Sequence, residues 1–162
     1  MHDPRLESVR EVLFREAALI DSRNWDEWLK LFTDDVVYWI PAWKSDLETT
    51  VDPNAELSLV YYESRLGLED RIFRLRTNAS SASIPFPRTC HLVTNITAEF
   101  VGDTASAKAN FQTLSYRLRA TQHFYGSYDY DLVSSGNSWK IKRKKITVLN
   151  DVIDTVLDFY SV

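Results

Sequence analysis

The chain has 162 residues, 44% hydrophobic and 26% charged, with a net charge of −4, which suits one domain with a substantial core. That acidic balance argues against a general nucleic-acid binder, and a single cysteine, Cys90, excludes an internal disulfide and fits a reducing compartment. The opening MHDPRLESVRE has no apolar run, and no later stretch approaches the about 20 apolar residues of a membrane span, so the expectation is one soluble, cytoplasmic domain over residues 1–162.

Asp3-Pro4 marks a helix start, because Asp caps and Pro suits the first helical position. Leu6, Val9, Leu13, Ala17 and Ile20 then recur at spacings of three and four, and 21–24 ends this amphipathic helix. Asn24 and Glu27 read as a capping box that opens a short second helix carrying Trp25, Trp28, Leu29 and Phe32. Residues 36–40 (VVYWI) read as a short strand stopped by Pro41, and 42–54 as a polar loop in which Trp43 lids the core. Residues 57–62 suit a strand. Residues 64–76 suit a helix with Leu68, Ile72 and Leu75 on one side, weakened by Gly67, and 77–87 a loop.

From Arg88 onward the pattern is four long strands over 88–101, 104–119, 123–133 and 139–149, each rich in β-branched and aromatic residues and bounded by turn formers. They predict an antiparallel meander, with everything before Arg88 covering one of its faces. In the first strand Leu92, Thr94, Ile96, Ala98 and Phe100 share one face, and His91, Asn95, Thr97 and Glu99 the other. The second changes parity between Phe111 and Leu114, and the fourth between Ile141 and Ile146. A period of two shifts by one only at a bulge, a bend or a change of buried face, so the sheet is expected to be strongly bent or buried on different faces at its two ends. Aromatics at 13% further suit a sheet whose second face is buried in an interface. Helices first and an antiparallel sheet after give an α+β class.

Metal and nucleotide chemistry find little to build on. Three histidines (His2, His91 and His123) and one cysteine stand at no metal-ligand spacing, and the four glycines form no phosphate-binding loop. Cys90 and His91 are neighbours on a strand and point to opposite faces, so they are no nucleophile pair. His91 is the best candidate for acid–base work, with Asn95 four residues on and Asp21 as a possible partner if the end of the first helix faces the sheet. The plainer alternative is a hydrogen-bonded histidine at an interface. The run Lys140–Lys145 (KIKRKK) puts five positive charges in six positions. It reads either as a solvated edge protected from aggregation or as a patch meeting an acidic partner.

Four stretches together resemble one family: REAALIDSRNWDEWLKLFTDDVVYWIPAW, ELSLVYYESRLGLEDRIFRLRT, RTCHLVTNI and KIKRKKITVLND, spread over nearly the whole chain. They are similar to the small (beta) subunit of aromatic-ring-hydroxylating dioxygenases of the benzoate, toluate and anthranilate group. The resemblance implies a cone-shaped α+β domain of the nuclear-transport-factor-two type, with helices packed in a strongly curved sheet. It also implies a trimer of small subunits beneath three large subunits, an α3β3 hexamer. A Rieske [2Fe–2S] cluster and a mononuclear Fe(II) are then expected in the large subunit, with no catalytic, cofactor or metal ligand from this chain. His91, Asn95, Arg143 and Lys145 are the expected interface residues. The same fold houses dehydratases and isomerases, and Asp21 and His91 resemble in approximate position a carboxylate and a histidine of a dehydratase, although no second histidine stands in the strand of Ala107–Arg119. A stand-alone dehydratase or isomerase is therefore the alternative.

Overall fold

The first helix, α1 (Pro4–Asp21), begins where the cap predicts: Asp3 accepts a hydrogen bond from the Arg5 backbone N–H at 2.9 Å, with Pro4 next in line. The computed structural model describes residues 3–77, 84–150, 153 and 157–162, so His2, Asp151 and the centre of the loop expected over 77–87 lie outside the described residues. After α1 come α2 (Trp25–Leu29), β1 (Phe32–Pro41), β2 (Ser58–Tyr62), α3 (Arg65–Arg76), β3 (Arg88–Val101), β4 (Thr104–Arg117), β5 (Ala120–Ser135) and β6 (Ser138–Val148). The expected capping box of α2 does not form. Asn24 makes no side-chain cap bond, and Glu27 turns instead to Lys30 at 2.6 Å and Arg15 at 3.6 Å. Phe32, expected on that helix, opens β1.

The six strands form one sheet in the order β2-β1-β6-β5-β4-β3. The meander of β3 to β6 is antiparallel throughout, as the turns imply. The segment before Arg88 does more than cover a face, however. β1 pairs in parallel with β6, and β2 pairs antiparallel with β1, so both extend the sheet past the meander. The edge groups of β6 would otherwise lack partners. The helices alone lie against the sheet, α1 across β3 and β6 and α3 against β1 and β2.

Two local features make the sheet curve. At Gly126 an added Cβ would stand 1.8 Å from the Thr147 carbonyl oxygen, so β5 and β6 approach closely only because no side chain intervenes. In β3 the register with β4 shifts between Thr94 and Thr97, where Asn95 takes φ 56°. That bulge corrects the expected faces. Thr89, His91 and Val93 point inward before it, and Ile96, Ala98 and Phe100 after it, while Leu92 is exposed. In β4 the expected parity change is absent. Thr113 and Ser115 continue the buried face of Ala105, Ala107, Ala109 and Phe111, and Leu114 and Tyr116 lie on the outer face. The composition of the face changes there, not the backbone. The change expected in β6 is real: the register shifts between Asp131 and Leu132 of β5, and the inner positions pass from Trp139 and Ile141 to Lys144, Ile146 and Val148.

The β4–β5 turn is tighter than the reading of 119 and 123 as strand ends allows. Arg117 pairs with Ala120, and Leu118 and Arg119 both take positive φ, 51° and 65°, as a two-residue primed hairpin requires. Trp43 behaves as a lid, donating its indole N–H to the Val148 carbonyl at 2.7 Å. At the other end of the core, Phe159 stacks on Trp28 with centroids 4.9 Å apart, and Asp158 forms a salt bridge with Arg71 of α3. The last residues thereby close the wide space between the helices and the sheet.

Candidate functional site

Two polar constellations stand at the interface of α1 with the sheet in a mainly apolar interior. The first is at the end of α1. The Ser22 backbone N–H donates to the Ala18 and Ile20 carbonyls and ends the helix at Asp21, which faces the start of β3. There Asp21 Oδ1 lies 2.5 Å from His91 Nδ1 and accepts from the Thr89 hydroxyl at 2.9 Å. Asp21 Oδ2 accepts from the His91 backbone N–H at 2.9 Å. Burial alone would raise the Asp21 pKa, but the hydrogen bonds from His91 and Thr89 more than offset it and hold the carboxyl below its ordinary value. The His91 side chain is 1% exposed, and its Nε2 has no hydrogen-bond partner among the described residues. The Asp21–His91 pairing expected from sequence is therefore formed. Asn95 does not join it, because the bulge carries it to the exposed side of β3.

The second constellation is deeper. Lys144 on β6 places Nζ 2.9 Å and 3.1 Å from the two carboxylate oxygens of Glu16 on α1, and Tyr130 donates its hydroxyl to Glu16 Oε1 at 2.7 Å. The ammonium also stands 4.1 Å from the centre of the Tyr128 ring. Burial lowers the Lys144 pKa, and Glu16 opposes the shift. Burial, with the Glu16 charge behind it, pushes the hydroxyls of Tyr38, Tyr128 and Tyr130 well above their ordinary value. The sequence reading missed this group. Its one visible sign was Glu16, an acid on the apolar stripe of Val9, Val12, Leu13 and Ile20.

The remaining charges of the basic run face outward. Arg143 stands opposite Asp131 and Lys145 opposite Asp129 in the β5–β6 register, and Lys145 Nζ lies 5.1 Å from the Trp39 ring centre. Lys142, at the register shift, is exposed.

Among the described residues these arrangements do not suit a metal or cluster. His91 spends one ring nitrogen on Asp21 inside the fold, while His123 and Cys90 lie exposed on the outer face. Among the described residues no three His, Cys, Asp or Glu side chains gather as ligands do. Among the described residues no helix is long and apolar enough to cross a membrane.

Residues 15–155 match the model of a family described as the ring hydroxylating beta subunit. The small subunit of 2-halobenzoate 1,2-dioxygenase from Burkholderia cepacia is 43% identical over 152 residues, covering 93% of this chain and 92% of the relative. The crystal structure of the beta subunit of benzoate 1,2-dioxygenase from Burkholderia mallei superposes with a TM-score of 0.81 at 36% identity, covering 100% of each chain. An NTF2-like protein from Novosphingobium aromaticivorans shares the fold alone, with a TM-score of 0.64 at 17% identity, covering 94% of this chain and 88% of that one.

Proposed function

Since the chain belongs to the ring-hydroxylating beta-subunit family, we propose that it serves as the small, non-catalytic subunit of a Rieske-type dioxygenase. Its substrate is an aromatic carboxylic acid, which the assembled enzyme converts with O2 and NADH to a cis-dihydrodiol or catechol. The observation that carries this reading is the 43% identity to a halobenzoate dioxygenase small subunit over nearly the full length of both chains. The large subunit supplies a Rieske [2Fe–2S] cluster and a mononuclear Fe(II). The donor set among the described residues fits neither group, in keeping with an architectural part in the reaction.

The geometry supports that part. Trp28, edge-on to Phe32 and stacked on Phe159, and the buried Glu16–Lys144–Tyr130 group occupy the interior between the helices and the sheet. An α3β3 hexamer in the cytoplasm is the assembly we propose, with Asn95, Arg143 and Lys145 at subunit boundaries. The His91 ring, sealed inside, contributes to the fold behind such a boundary and not to the contact itself.

The alternative, a dehydratase or isomerase using Asp21 and His91, draws support from the short Asp21–His91 contact. Co-expression with a large subunit of the same dioxygenase class separates the two. Purification of a stable complex with the mass of three small and three large chains supports the subunit reading. A small chain that elutes alone and dehydrates a hydroxylated polyketide or isomerises a ketosteroid supports the alternative.

A further inference from the structure

The inner face of the sheet changes character toward the end of α1. Along β4 it runs Ala105, Ala107, Ala109 and Phe111, then Thr113 and Ser115, and along β3 it passes from Val93 to His91 and Thr89. His91 and Thr113 are direct cross-strand partners on that face. Opposed residues in an antiparallel pair hold their Cβ atoms about 4.5–5.5 Å apart. The His91 side chain is 1% exposed and Thr113 is 0% exposed. Yet His91 Nε2 and Thr113 Oγ1 are both buried without a hydrogen-bond partner among the described residues. A buried polar atom left unpaired is destabilising, so two on directly opposed strand partners mark a place where a third group belongs.

Asp21 fixes what that group must offer. Its carboxyl is held in the charged form and takes the proton-bearing side of the ring at Nδ1. With Nδ1–H turned to that carboxylate, the tautomer this contact selects carries its lone pair at Nε2. The Thr113 hydroxyl can both donate and accept. The walls are apolar: Phe111 precedes Thr113 on the same face, and Phe124 is its partner on β5, each 3% exposed. A metal ion at Nε2 would find no second protein donor among these rings, and an anion would meet a lone pair with a carboxylate behind it.

We propose that His91 and Thr113 form an enclosed site for one small, neutral, hydrogen-bond-donating molecule, a water in the protein by itself. The molecule donates one hydrogen to His91 Nε2 and shares a second bond with the Thr113 hydroxyl. The Asp21–His91 pair, on this account, is the orienting half of a buried solvent site that joins α1 to β3 and β4. It does not depend on how the chain assembles.

A crystal structure of the full chain at a resolution that shows ordered solvent decides the matter. One density peak is expected within about 2.7–3.2 Å of both atoms. The peak should persist in Thr113→Ser and be lost in Thr113→Val, which keeps the shape and removes the hydroxyl. In solution, the His91 Nε2 nitrogen resonance should shift in Thr113→Val and stay near its native position in Thr113→Ser. A wild-type structure with no bridging peak, or with the imidazole and hydroxyl bonded directly to each other, overturns the proposal even if the valine variant does not fold.

Discussion

Lys144 Nζ lies 2.9 Å from Glu16 Oε1, with neither side chain more than 2% exposed. The shift of register in β6 brings this lysine inside, away from the other charges of its run. Removing one member of a buried pair leaves the other charge uncompensated, which costs about 3–5 kcal/mol, whereas removing both can be nearly neutral. Lys144→Met should therefore destabilise the chain by that amount in urea unfolding. Adding Glu16→Gln, which keeps an acceptor for Tyr130, should recover most of the loss.

Acid should loosen the end of α1. The Asp21 carboxyl has a folded pKa below its ordinary value of 3.8. Such a group contributes stability that is fully present above the unfolded value and is lost as pH falls through the folded one. Unfolding free energies of the native chain should fall below about pH 4. In Asp21→Asn the fall should be smaller, from a lower plateau at neutral pH. Equal pH slopes for both proteins would show that Asp21 is not linked to folding.

Curvature at Gly126 leaves no place for a side chain, because an added Cβ would sit 1.8 Å from the Thr147 oxygen. Gly126→Ala should exceed the usual cost of a point substitution, about 0.5–3 kcal/mol, or prevent folding. Circular dichroism and denaturant midpoints check it; a native-like midpoint would mean that the strands part easily here.

Arg143 and Lys145 stand on the outer face opposite Asp131 and Asp129. If they also meet carboxylates of neighbouring subunits, Arg143→Gln with Lys145→Gln should weaken assembly in a salt-dependent way, and the chain's own stability should change less. Sedimentation at low and moderate salt reads this. Wild-type assembly at both would leave the run as a solvated face.

Much of this molecule is legible from residue order. The start of α1 at Asp3-Pro4, both ends of β3 and the bend implied by β6 follow from caps, turns and period-two patterns. The face errors on β3 and β4 share a cause: alternation of apolar residues does not by itself say which face is buried. Leu92, Leu114 and Tyr116 face outward, and polar Thr113 and Ser115 face inward, so the pattern on β3 and β4 pointed to the wrong side. The Asn95 bulge adds a half-step that no alternation shows. At the site, the Asp21–His91 contact was foreseeable from a helix end facing a strand. The Glu16–Lys144 pair was not, because it joins residues far apart in sequence, one of them hidden in a basic run.

The central claim is that this chain builds the enzyme and the large chain performs its chemistry. Its most direct test measures iron content and aromatic-acid-dependent O2 consumption, with NADH and the electron-transfer proteins, for each chain alone and for the two together. The account predicts an iron-free small chain without turnover, and full activity only in the complex. Stoichiometric iron in the small chain, or turnover by it alone, would contradict the account.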